Sequence, residues 1–159
     1  MRTGTMRASQ PGEEAHEEPL LLDPSVDNPA EHLHFHVERD AFGREVSLVS
    51  AVVREDGSRD ERGQATIDTV GLDRPSLVQQ RMRSITHLRL ALRSVEKEWE
   101  RYRTATSPER REEIKAGIRE EMRTISATFL VWQAEYSSAC REEYKILIAA
   151  VRAKLSATP

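Results

Sequence analysis

Cysteine is nearly missing from this chain, with Cys140 the only one among 159 residues. A lone thiol closes no internal disulfide and builds no cysteine zinc cluster, so the expectation is a reducing, cytoplasmic setting. Long hydrophobic runs are missing as well. No stretch approaches the roughly 20 apolar residues that a membrane span requires, which excludes an integral membrane protein. Near the N-terminus only Leu20-Leu21-Leu22 is apolar, too short for the hydrophobic segment of a secretory signal. Aromatic residues are 5% of the chain and hydrophobic residues 38%, enough for a small core but not for covering every residue. The short motifs of phosphate loops, dinucleotide folds, nucleophile elbows and zinc proteases are all absent.

What the chain does have is charge, unevenly placed. Residues 1–30 carry −4, residues 31–73 carry −5, residues 74–106 carry +5 and the remainder +1. A net charge of −3 gives no general attraction to nucleic acid or acidic membranes. The basic stretch is local, with five arginines and no acid between Arg74 and Arg93. Such arginines either meet acids elsewhere on the same protein or form a patch for phosphate or an acidic protein surface.

Three regions follow. Residues 1–30 combine Pro11, Pro19, Pro24 and Pro29 with two glutamate pairs, which predicts a disordered acidic tail. Within it, Leu20, Leu21 and Leu22 lie between acids and form a short apolar knot able to dock in a partner's groove. Residues 31–73 read as a three-stranded antiparallel meander. His32 to Val37 alternates, placing Leu33, Phe35 and Val37 on one face and three histidines on the other. A valine-rich run from Glu45 to Arg54 and a third strand at Ala65–Val70 complete it, with turns at Ala41–Arg44 and Asp56-Gly57.

Residues 74–159 read as a long, coiled-coil-like helical hairpin. Pro75 and Ser76 open the first helix. Val78, Ile85, Leu92 and Trp99 recur every seven residues, and Arg81, Leu88, Val95 and Tyr102 follow three residues later. That is an a/d seam with one arginine in it. The helix stops near Thr104–Thr106, and Ser107-Pro108 starts the next. Its apolar stripe runs from Ile114 to Leu155, too long for one helix of a small compact domain. It is expected either to break near Ser137–Ser138 or to enter an extended oligomeric bundle. Residues 129–132 and 146–148 are apolar on several sides, which implies neighbours on several sides and hence self-association.

Few residues suggest chemistry. His32, His34 and His36 alternate on a strand, and a His-x-His pair can chelate zinc. With Glu38 they are similar to the first metal motif of cupins. The upstream glycine and the second histidine motif are absent, and the strand region is far too short for that barrel, so the family is not carried over. The Arg81-x5-His87 spacing resembles that of helical ribonucleases of the HEPN type, which use an arginine and a histidine across a dimer interface. That resemblance covers two residues and implies RNA cleavage, with Met82 standing where the family has a polar residue. Cys140 sits on the apolar stripe and reads as a small buried side chain rather than a nucleophile.

The reading favoured by these features is a non-enzymatic assembly or adaptor protein without a cofactor. Its helices would form a homo-oligomer, most simply a dimer, through the seam Ile85, Leu88, Leu92, Val95 and Trp99. A protein partner would be held through Leu20–Leu22, the sheet, or the arginines Arg83, Arg89 and Arg93. The alternative is a nucleic-acid-binding or RNA-cleaving helical protein that uses the arginine helix. Zinc at the histidine triplet is a third reading.

Overall fold

The structure is a computed structural model that describes residues 19–23, 25–131 and 136–156, with side chains through residue 150. Among the described residues are two antiparallel strands, β1 (Leu33–Arg39) and β2 (Glu45–Ala51), and four α-helices. The helices are α1 (Glu61–Val70), α2 (Pro75–Thr104), α3 (Pro108–Ile125) and α4 (Ser137–Ser156). The chain divides into a smaller unit, Met1–His34 with Val49–Asp73, and a larger unit, Phe35–Leu48 with Arg74–Pro159.

In the smaller unit the expected three-stranded meander is corrected. Residues 65–70, read as a third strand, form the second half of α1. The Asp56-Gly57 turn does form, but the pairing that it starts ends at one antiparallel bridge between Val53 and Arg59. The reason lies in the helix signals on either side. The Asp60 side chain accepts from the Gly63 N–H and caps the first turn, and Gly71 stops the helix in the left-handed conformation at φ 67°. A good N-cap contributes about 1 kcal/mol, whereas the β-branched Thr66 and Ile67 each cost only a few tenths in a helix. Both are buried on the inward face of α1, so packing recovers that cost.

The segment before β1 also departs from the expected disordered tail. Residues 1–18 lie outside the described residues, but Leu21, Leu22 and Asp27 are held along α1. The Leu22 N–H donates to Thr66 Oγ1 at 3.0 Å, and Arg62 donates to the Leu21 carbonyl at 3.2 Å. Arg62 also grips Asp27 through two nitrogens at 3.0 and 2.6 Å. Asn28 then caps the short 3-10 turn Pro29–Glu31.

In the larger unit the strands meet in a turn closed from the Asp40 N–H to the Arg44 carbonyl. Phe35 and Val37 turn toward the helices, as the alternation predicts. The helix starts at Pro75 and Ser107 are as read from the sequence, with Ser107 accepting from the Arg110 N–H. The three residues 105–107 turn the chain back, so that α2 and α3 pack side by side. The long second stretch breaks. After α3 comes a single π-helical turn, Ser126–Leu130, then extended Val131, and α4 starts at Ser137 behind Tyr136 at φ 57°. The core joins Ile85, Leu88 and Leu92 of α2 to Ile125, Ala139 and Cys140.

Two glycines make opposite predictions. Helix propensity alone says that Gly→Ala stabilises a helix by about 1 kcal/mol. At Gly117 a Cβ would meet nothing within 4 Å, so Gly117→Ala is expected to stabilise by up to that amount. At Gly63 a Cβ would fall 2.3 Å from the His32 carbonyl oxygen, so Gly63→Ala is expected to destabilise by about 2 kcal/mol. Urea midpoints of the two variants against the parent check both signs.

Candidate functional site

The strongest candidate site is an open cleft of about 640 Å³ in the larger unit. Its apolar floor comes from Leu92, Val95 and Trp99 of α2, Met122 of α3, and Leu147 and Ile148 of α4. Its charged rim carries Arg89, Arg93 and Arg103 together with Glu96, Glu100 and Glu143. The heptad spacing explains the floor. Leu92, Val95 and Trp99 share one stripe of α2, and the lower part of that stripe is already filled by α3 and α4. Trp99 stacks on Tyr102 at 5.3 Å between ring centroids, and its buried indole N–H meets no acceptor among the described residues.

The seam residues are therefore divided. Ile85, Leu88 and Leu92 are 1%, 0% and 8% exposed and belong to the chain's own core. Val95 and Trp99 are half-buried at the cleft.

The arginines of α2 likewise go to different places. Arg81, the one arginine in the apolar stripe, is 3% exposed. Its Nε and Nη2 donate to the Ser47 carbonyl at 3.3 and 2.9 Å, and its guanidinium lies 5.8 Å above the Phe35 ring. Ser47 is a small residue fully buried in β2, which leaves room for this side chain. Arg89 joins two elements, donating from Nε to Glu143 at 2.7 Å and from Nη1 to Glu45 at 2.6 Å. Burial opposes its charge, but the hydrogen bonds to Glu143 and Glu45 outweigh burial and raise its pKa. Arg83 and Arg93 remain exposed.

The ribonuclease-like pair is not brought together. Arg81 is directed to the hairpin, while His87 is exposed on another face of α2. Cys140 is fully buried, and burial with Glu143 nearby pushes its thiol up to about 11, so it is not a thiolate nucleophile at neutral pH.

The histidines have different surroundings. His32 caps the 3-10 turn with a helical backbone, off the strand, and its Nδ1 lies 2.9 Å from Asp60. His34 is exposed, and His36 Nε2 lies 2.9 Å from Glu38. Among the described residues no three His, Cys, Asp or Glu side chains gather to hold a metal ion.

Asp60 instead gathers charge in the smaller unit. Burial pushes its pKa up, but Arg54 at 2.7 Å, the Gly63 N–H at 2.7 Å and His32 outweigh that and hold it down to about 2. The sequence reading missed this residue, although an aspartate three residues before a helical glycine was a readable cap. It also missed Glu45 and Glu143, for which sequence offers no signal because their meeting with Arg89 is purely tertiary.

Comparison with protein-family models, with curated proteins and with solved structures finds no match for this chain.

Two tests follow from these charges. The Asp60 carboxylate stabilises the fold by about 2 kcal/mol, from a depression of 3.8 to about 2. That stabilisation is fully present above pH 4 and is lost as pH falls through 2. Asp60→Asn keeps a cap but loses the charge, so its stability deficit relative to the parent should shrink between pH 4 and pH 2. Denaturant titrations across that range measure it. Glu143→Ala leaves Arg89 with Glu45 alone in a half-buried position and is expected to cost about 2–3 kcal/mol in the same assay.

Proposed function

We propose that this chain is a non-enzymatic assembly module that self-associates through the cleft face of α2 and α4. It would hold a second protein through the exposed parts of its N-terminal segment or hairpin. The observation that carries this reading is the cleft itself, an apolar floor left open between three helices and bordered by charges of both signs. Apolar side chains at helix positions without a neighbour are the usual mark of an interaction surface. The self-association reading narrows the seam to Val95 and Trp99, since Ile85, Leu88 and Leu92 are consumed inside the chain. Exposed Leu21 and Phe42, at 42% and 83%, are among the apolar groups that the N-terminal segment and the hairpin tip would present to a partner. Nucleic-acid binding is weakened as an alternative, because Arg81 is buried and Arg89 is held by two glutamates.

The native mass of the protein from its own cells, read with absorbance at 260 nm, tests this reading. A species heavier than one 18.1 kDa chain and free of nucleic acid supports it. A single chain overturns it, and co-purifying RNA or DNA transfers the argument to Arg83 and Arg93. The double variant Val95→Glu with Trp99→Glu should fall to single-chain mass while keeping its helical circular dichroism. A folded double variant that retains the parent mass overturns the role of the cleft.

A further inference from the structure

We infer that the outer face of α2 docks an acidic α-helix of a partner protein, which sets carboxylates against Arg83, Lys97 and Arg101 and an apolar side chain over Leu90. This face lies on the far side of α2 from the core stripe of Ile85, Leu88 and Leu92, and docking there does not depend on self-association through the cleft.

At about 100° per residue, Arg83, His87, Leu90, Ser94, Lys97 and Arg101 form one row along α2, about 27 Å from end to end. Every one of them is exposed. Within about 60° of Leu90, at the middle of this face, α2 carries no aspartate or glutamate, and Arg93 adds a further cation. Glu98 and Glu100 fall outside, at about 80° on either side. Arg83, Arg93 and Lys97 make no ion pair among the described residues. Arg101 meets Glu98 from the flank at 2.6 Å, an exposed pair in which an incoming carboxylate can share. Leu90 is 55% exposed, a large apolar group in the middle of a basic face.

The width and charge of the face select the occupant. A helix is about 10 Å across and meets a neighbour over a stripe about 100° wide, which the acid-free sector accommodates. A nucleic-acid duplex is wider and would lie over Glu98 and Glu100 as well, and the net charge of −3 opposes a polyanion at long range. A membrane surface needs an apolar face to enter, and Leu90 is the one large apolar side chain on this face. The row also reads the same in both directions, with steps of four, three, four, three and four residues. A partner helix with acids opposite Arg83, His87, Lys97 and Arg101, and apolar groups opposite Leu90 and Ser94, therefore fits parallel or antiparallel.

Three labelled probes are titrated against the full chain by fluorescence anisotropy at low salt. The first is an alanine-based helical peptide as long as the row, with glutamates at the four positions facing basic residues and leucines at the two between. The second has the same composition with its glutamates and leucines dispersed round the helix, and the third is an RNA duplex of equal length. The patterned peptide is expected to bind about tenfold more tightly than either of the others. Lys97→Glu and Arg83→Glu are each expected to weaken it by about tenfold, and Leu90→Ala by about threefold. All three changes are at exposed positions, and circular dichroism verifies the fold. The double variant Val95→Glu with Trp99→Glu is expected to bind the patterned peptide like the parent, which separates this face from the cleft. Failure of the patterned peptide to bind the parent overturns the inference. So does a dispersed peptide that binds as tightly, indifference to the charge reversals, or loss of the peptide in the folded cleft variant. An RNA duplex that binds more tightly than the peptide, with a steep loss on adding salt, overturns it in favour of nucleic acid.

Discussion

The larger unit depends on one stripe of α2. Ile85, Leu88 and Leu92 turn a single face of this helix toward Ile125, Ala139 and Cys140, and Phe35 and Val37 of β1 close over the same cluster. Each fully buried aliphatic side chain contributes about 1.5–3 kcal/mol, so these few positions outweigh the surface ion pairs at about 0–1 kcal/mol each. Arg81 extends the stripe by other means. Its stem continues the apolar face, and its guanidinium satisfies the Ser47 carbonyl and lies over Phe35. A charged residue in a hydrophobic seam thus becomes the pin between α2 and the hairpin.

That same stripe explains the cleft. α3 follows α2 through a short connection and covers its flank, while the break after Ile125 redirects the chain so that α4 covers the lower part of the seam. The upper part keeps its apolar side chains at the cleft. Arg89 stands at the boundary, joining β2 to α4 through Glu45 and Glu143. The association proposed above rests on what the cleft offers, an apolar floor bordered by charges of both signs.

Much of this was legible in advance. The heptad stripe marked Ile85, Leu88 and Leu92 as one apolar face, although it was read as a seam between copies and not as the chain's own core, and Pro75 and Ser107-Pro108 located two helix starts. These are local rules, of period, cap and fixed proline φ, that act within a few residues. The alternation of Leu33, Phe35 and Val37 likewise gave β1 its inward face. The third strand was misread because Thr66, Ile67 and Val70 were weighed for β propensity, while the Asp60 cap was not. Nothing local reveals that Thr66 and Arg62 hold the backbone of Leu22 and Leu21.

The amino-acid order alone determined which residues are apolar, how they repeat along the helices, and where helices begin. These depend on side-chain type and on backbone geometry over one or two turns. Tertiary structure decided what each repeat packs against. It consumed part of the seam inside the chain and left Val95 and Trp99 at a cleft. It buried Arg81, paired Arg89 with two glutamates from distant segments, and bonded His32 to Asp60. Such meetings join residues 28 to 54 positions apart, and only the path of the folded chain brings them within hydrogen-bonding distance.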